Sequence, residues 1–186
     1  MTLYVDGCSY AYGDGLDRKY SLSNLIGGDV DKSYGGKNNQ SILHDLYLNI
    51  DKHDTFVISM SYSDRFVLFD SDTRIPILPS LESGLGRIAG TAYEQPYKGY
   101  HKILYTLYDK EFYSKLSDAT ADSMILLLDS FKKKFVIFTW ERRKNFFNNR
   151  FTTMSFSKDQ YLSDGHLNEK GMQRWADITK EALNDI

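Results

Sequence analysis

Thr55-Phe56-Val57-Ile58-Ser59-Met60 is an uncharged, β-rich run. It reads as a strand buried on both faces, because a strand with one wet face would alternate apolar with polar residues. Phe135-Val136-Ile137-Phe138-Thr139-Trp140 has the same character. At the other end of the chain, Thr2–Asp6 is short and β-rich and meets Gly7 at once, as a strand running into a turn does. Between these runs the apolar spacing changes to that of helices. Ile42, Leu43, Leu46 and Ile50 recur at helical intervals after Asn38 or Asn39, either of which suits an N-cap. Apolar strands separated by helices predict an α/β fold, a three-layer α/β/α sandwich around a central, mostly parallel sheet.

The rest of the chain fills in around that frame. Asp29–Tyr34 suits a short second strand. Residues 71–95 contain Pro76, Pro79 and three glycines and are expected to form a long surface loop. Helices are expected over Pro96–Tyr113, with Ile103, Leu104, Leu107 and Tyr108 on one face, and over Ser117–Lys133, with Met124, Leu127, Leu128 and Phe131. Residues 141–160 are polar with scattered aromatics, and Asn168–Ile186 is a final amphipathic helix carrying Met172, Trp175, Ile178 and Leu183. The whole, residues 1–186, is expected to be a single domain.

Composition excludes several classes of function. Lys and Arg number 23 against 25 Asp and Glu, a formal charge of −2, so the chain lacks the basic excess of a nucleic-acid-binding domain and no nucleic-acid partner is expected. The longest apolar runs fall far short of the ~20 residues that span a bilayer, so no membrane association is expected. The single Cys8 permits no internal disulfide, and with no signal-like N-terminus a cytoplasmic location is expected. His44, His53, His101 and His166 have no paired metal-ligand spacing, so no metal or other cofactor is expected. Gly13-Asp14-Gly15 follows a strand, but a dinucleotide fingerprint needs glycine where Arg18 stands. Gly36-Lys37 resembles the end of a phosphate loop, but Asn38 replaces the hydroxyl residue and Asp31 the first glycine.

Ligands of parallel α/β sheets bind beyond the carboxyl ends of the strands. That rule gathers Gly7-Cys8-Ser9, Ser61-Tyr62-Ser63-Asp64 and Glu141-Arg142-Arg143 on one rim. Four blocks stand out in order along the chain: Asp6-Gly7-Cys8-Ser9, Tyr34-Gly35-Gly36-Lys37-Asn38-Asn39, Ser59-Met60-Ser61-Tyr62-Ser63-Asp64, and Asp164-Gly165-His166-Leu167-Asn168-Glu169-Lys170-Gly171. In these blocks the sequence resembles the SGNH/GDSL hydrolase family, most of all the short SGNH-type proteins encoded by tailed phages. The resemblance implies an SGNH hydrolase, flavodoxin-like sandwich.

The chemistry of the residues points the same way. A serine hydroxyl needs a base to become a nucleophile, and His166 is the one histidine in a block with a nearby carboxylate. Ser9 is the expected nucleophile, His166 the base and Asp164 the acid that orients it. The resemblance further implies an oxyanion hole from the backbone N–H groups of Ser9 and Gly36 plus a side-chain donor from the third block. There the sequence departs from the family: Ser63 occupies the position of the usual asparagine, with Asn39 as an alternative donor or a scaffold residue. The acid also departs, since Ser163 stands where the family places it. Either the loop is one residue tighter and Asp164 serves, or another acid such as Asp159 or a carbonyl orients the histidine.

The expected activity is hydrolysis of a small ester, with a carbohydrate O-acetyl group as one form, through an acyl-serine intermediate. The alternative is a weak or inactive module of the same fold that binds a glycan or serves as an accessory or structural phage protein. Glu141-Arg142-Arg143-Lys144 is a candidate anion reader or a solvated loop. The tyrosines at 93, 97, 100, 105, 108 and 113 are candidates for sugar stacking or core packing. Oligomeric state is not legible.

Overall fold

The computed structural model describes residues 2–70, 73–140 and 151–186. Five strands, β1 (Leu3–Gly7), β2 (Val30–Asp31), β3 (Thr55–Ser59), β6 (Lys134–Thr139) and β7 (Phe151–Thr153), form one sheet in the order β2-β1-β3-β6-β7. Every pairing in it is parallel. The two runs read as doubly buried strands are central neighbours, with Val57 opposite Val136 and Ile58 opposite Ile137.

Alternate residues of the strands feed two cores. On one face Tyr4, Phe56, Ile58 and Ile137 pack with Ile42 and Leu46 of α3 (Asn39–Asn49) and Met124 and Leu128 of α6 (Lys110–Ser130). On the other, Val5, Val57, Val136 and Phe138 pack with Ala11 of α1 (Ser9–Tyr12), Leu22 of α2 (Leu22–Ile26) and Met172, Trp175 and Ala176 of α7 (Glu169–Asn184). This is the expected three-layer arrangement. The chain reverses its direction of winding between β1 and β3, which opens a crevice at their carboxyl ends.

Residues 71–95 do not form the expected long loop. Instead β4 (Phe66–Asp70) and β5 (Thr73–Ile77) make an antiparallel hairpin, followed by α4 (Leu81–Ile88). Pro76 is tolerated because β5 pairs with β4 alone, leaving its other edge without a ladder to break. Ile75, Ile77, Ile88 and Tyr97 give this appendage its own small core.

The predicted helix Pro96–Tyr113 also divides. α5 runs Glu94–Thr106, with Pro96 in its first turn where a missing N–H costs nothing. The side chain of Asp109 then accepts the N–H of Phe112 and caps the start of α6. Among the described residues, no helix is long and apolar enough to cross a membrane.

Candidate active site

Gly7 ends β1 beneath the site, and it must be glycine. A Cβ there would lie 2.7 Å from the Cβ of Ser59 and 2.9 Å from that of Ala11, so the turn into α1 passes too close to β3 for any side chain. Ser9 opens α1 and is 2% exposed. Its hydroxyl lies 3.4 and 3.5 Å from the two terminal guanidinium nitrogens of Arg65. Among the described residues its backbone N–H and that of Gly36 have no hydrogen-bond acceptor, so both remain available as donors. Gly36 turns with φ of +82° against the ring of Pro76 in β5.

The fourth block forms a tight turn before α7. Gly165 adopts φ of +87°, a left-handed conformation that other residues rarely take, and Tyr161 bridges Leu167 across the turn. This brings Asp164 back onto His166. Asp164 Oδ1 accepts the backbone N–H of His166 at 3.0 Å, and Oδ2 lies 3.1 Å from the imidazole Nδ1. The backbone N–H of His166, reinforced by its ring, holds the Asp164 carboxyl below the usual carboxylate range. Asp159 lies elsewhere: it binds Lys170 at 2.5 Å and the Ser157 hydroxyl. Of the two acids considered for His166, Asp164 is the one in contact with its ring.

Tyr10 joins this turn to α1, the helix that Ser9 opens. Its ring stacks on Trp140 with centroids 4.0 Å apart and tilts against His166 at 5.3 Å, and its hydroxyl donates to the Gly165 carbonyl at 3.2 Å. Trp140 is fixed in turn by an indole N–H bond to Ser59 and an edge-on contact with Trp175. Ser9 makes no hydrogen bond to His166 in this arrangement; its hydroxyl faces Arg65. Catalytic hydrogen bonds of this kind often tighten only when substrate is bound.

Asn39 is spent as a structural clamp. Its Oδ1 accepts the N–H of Ser61 at 2.7 Å, while its Nδ2 donates to the Ser61 carbonyl at 3.0 Å and to Ser117 Oγ at 2.6 Å. Both amide hydrogens are used, so Asn39 holds the end of β3 and offers no donor to an oxyanion. The cap of α3 is Asn38, whose side chain accepts from the Ser41 N–H. Ser63 lines a cavity of about 290 Å³ with Asn38, Gln40, Arg65, Leu104 and Tyr113.

Sequence reasoning missed two features. One is Arg65, which follows the third block directly and whose only signal is that adjacency. The other is a buried charge cluster: Lys37 Nζ lies 2.5 Å from Asp6 Oδ1 and 2.6 Å from Asp45 Oδ2, with Tyr4 donating to the other oxygen of Asp6. Burial pushes the Asp6 carboxyl up to about 7 against the opposing pull of Lys37. Of the six tyrosines, Tyr97 is core, Tyr105 and Tyr113 pack edge-on against Phe66, and Tyr100 is exposed. Glu141-Arg142-Arg143-Lys144 lies outside the described residues. Among the described residues, no cluster of His, Cys, Asp or Glu could hold a metal ion.

The architecture is that of the SGNH hydrolase fold. A solved structure of TesA aligns over 98% of this chain and 98% of its own, with a TM-score of 0.55 and 15% identity. The psychrotrophic esterase EstA from Pseudoalteromonas sp., in a structure inhibited by monoethylphosphonate, aligns over 99% of this chain and 97% of its own, with a TM-score of 0.54 and 11% identity. No family profile and no curated protein matches the sequence itself.

Proposed function

We propose that the chain is a serine esterase acting on a small-molecule or carbohydrate ester through an acyl-serine intermediate. The observation that carries the reading is the Asp164–His166 pair, held through Tyr10 against the helix that begins with Ser9. With Nδ1 engaged by Asp164, the imidazole has Nε2 left to take the proton of Ser9. Ser9 Oγ attacks the ester carbonyl, His166 receives the proton and returns it to the leaving alkoxide, and water repeats the cycle on the acyl-enzyme. The backbone N–H groups of Ser9 and Gly36, with Ser63, face the developing oxyanion. The neighbour EstA is an esterase inhibited by a phosphonate, and this supports the same chemistry here. Kinship with the short phage-encoded proteins and a cytoplasmic location, where the buried Cys8 stays reduced, complete the reading.

A second reading has its own support, because the Ser9 hydroxyl faces Arg65 and not His166. It is an inactive module of the same fold that binds a glycan or serves in a phage particle. Labelling with a fluorophosphonate probe, mapped by mass spectrometry, separates the two. Modification of Ser9, lost in Ser9→Ala and His166→Ala, is the result expected of an esterase. Absence of labelling and of turnover on activated esters would leave the binding module.

A further inference from the structure

The Arg65 guanidinium lies 3.4 and 3.5 Å from the Ser9 hydroxyl, and the turn that carries it is pinned at both ends. At its start, Asn39 clamps both backbone groups of Ser61. Near its end, the Tyr105 hydroxyl donates to the Asp64 carbonyl at 2.6 Å, and β4 begins at Phe66. The guanidinium lies 5.7 Å from the centre of the Tyr62 ring, within the range of a cation–π contact. Among the described residues it is the one charged side chain lining the 290 Å³ cavity that Ser63 also lines, and it reaches from that wall to Ser9. A charged donor is thus built into a partly apolar pocket on a fixed turn.

Its spacing from Ser9 is informative. Charge-assisted hydrogen bonds run about 2.7–2.9 Å between heavy atoms. Both nitrogens stand off Oγ by more than that, at 3.4 and 3.5 Å, and at nearly equal distances. A fork set back from the hydroxyl leaves room for an atom one carbon removed from Oγ, which is where the oxygen of a tetrahedral adduct sits. Donors that serve a transition state are aimed at that oxygen and not at the ground-state atoms.

We infer that Arg65 is a catalytic residue, the charged oxyanion donor that replaces the side-chain amide missing from the third block. The inference rests on the esterase reading. As the Oγ–C bond forms, the Ser9 proton passes to His166 Nε2 and the carbonyl π pair moves onto oxygen, where the two guanidinium N–H groups meet it. On collapse that pair reforms the carbonyl, the C–O bond to the leaving group breaks, and the alkoxide takes the proton from His166. Arginine suits the role because its planar fork is fixed and always charged.

The test uses the full chain with Arg65→Ala and Arg65→Lys, and compares p-nitrophenyl acetate with the p-nitrophenyl monoester of succinate. Arg65→Ala is expected to lower kcat on the neutral ester by ~10²–10³ with KM changed by less than about threefold. Arg65→Lys should fall between, and added guanidinium ion should restore part of the Arg65→Ala rate. Wild-type kcat on both esters in Arg65→Lys and Arg65→Ala would overturn the inference while leaving Ser9 labelling, and the esterase reading, intact. A loss confined to KM for the anionic ester would overturn it in favour of substrate-charge recognition. A wild-type protein whose Ser9 neither labels nor turns over ester overturns the esterase reading and this inference with it.

Discussion

The imidazole Nδ1 of His166 lies 3.1 Å from one oxygen of Asp164, and the backbone N–H of the same histidine donates to the other. One carboxylate therefore fixes both the ring and the main chain of the residue it serves, and it does so from two residues away because Gly165 turns with positive φ. The pair is open to solvent, with the Asp164 side chain 57% exposed. Water screens the charge, so Asp164 contributes less than a buried triad acid, whose replacement by its amide drops kcat by about 10⁴. Asp164→Asn is expected to lower kcat on p-nitrophenyl acetate by about 10–100-fold and to leave the melting temperature nearly unchanged. Steady-state kinetics beside a thermal melt check both halves.

The cluster of Asp6, Lys37 and Asp45 gives the fold a pH dependence of its own. One buried cation faces two acids, and the desolvated Asp6 keeps its proton up to about pH 7, above its ordinary value of 3.8. Folded chains then bind more protons than unfolded ones between about pH 4 and 7. Stability contributed by that proton is complete below the unfolded value and is lost as pH rises through 7. Asp6→Asn leaves Lys37 paired with Asp45 alone, and the fall in melting temperature between pH 5 and 8 should become shallower than in the wild type. Equal slopes in the two proteins would show that Asp6 is ionised throughout.

Removing the cation is the harsher change. Lys37→Met removes the cation from between two buried carboxyl groups, a loss of about 3–5 kcal/mol by analogy with other broken buried pairs. Urea denaturation of wild type and variant at pH 7 measures it. The loss should shrink at pH 5, where Asp6 is protonated.

How much of this was legible follows from what a linear pattern can carry. Val57 and Val136 announce central strands because burial on both faces leaves no polar residue in the run, and Ser9 and His166 stand in recognisable blocks. The hairpin of β4 and β5 was hidden by Pro76 and the glycines that follow, which weigh toward a loop unless one knows that β5 is unpaired on one side. Lys37 stands in the sequence only as part of the second block and of a failed phosphate-loop match, and its acids lie 31 residues before it and 8 after, so only the topology brings them together. Arg65 belongs to no pattern. The amide of Asn39 fits either an oxyanion donor or a clamp, and the choice depends on where Ser61 and Ser117 sit.

That clamp is itself testable. Asn39→Ala leaves the buried N–H and carbonyl of Ser61 without their partners, a penalty of about 1–3 kcal/mol. It also frees the turn that carries Arg65. The variant should lose melting temperature and kcat together, whereas Arg65→Ala should lose kcat with little change in melting temperature. Loss of activity in Asn39→Ala with an unshifted melt would place Asn39 in direct contact with substrate after all.

Ser63 and Arg65 line the same cavity, and the two positions are expected to act on one oxygen. A serine hydroxyl is a shorter donor than an asparagine amide and rotates freely, so Ser63 makes an imperfect member of an oxyanion hole. Ser63→Asn should raise kcat on p-nitrophenyl acetate by up to about tenfold with KM unchanged, since the added donor acts where charge develops. The gain should be larger in an Arg65→Ala background, where the hole lacks its charged donor, and the double-mutant cycle reports that coupling directly. A fall in kcat in both backgrounds would mean that the longer side chain crowds the acyl group. The same gain with and without Arg65 would mean that the two side chains serve different atoms of the substrate.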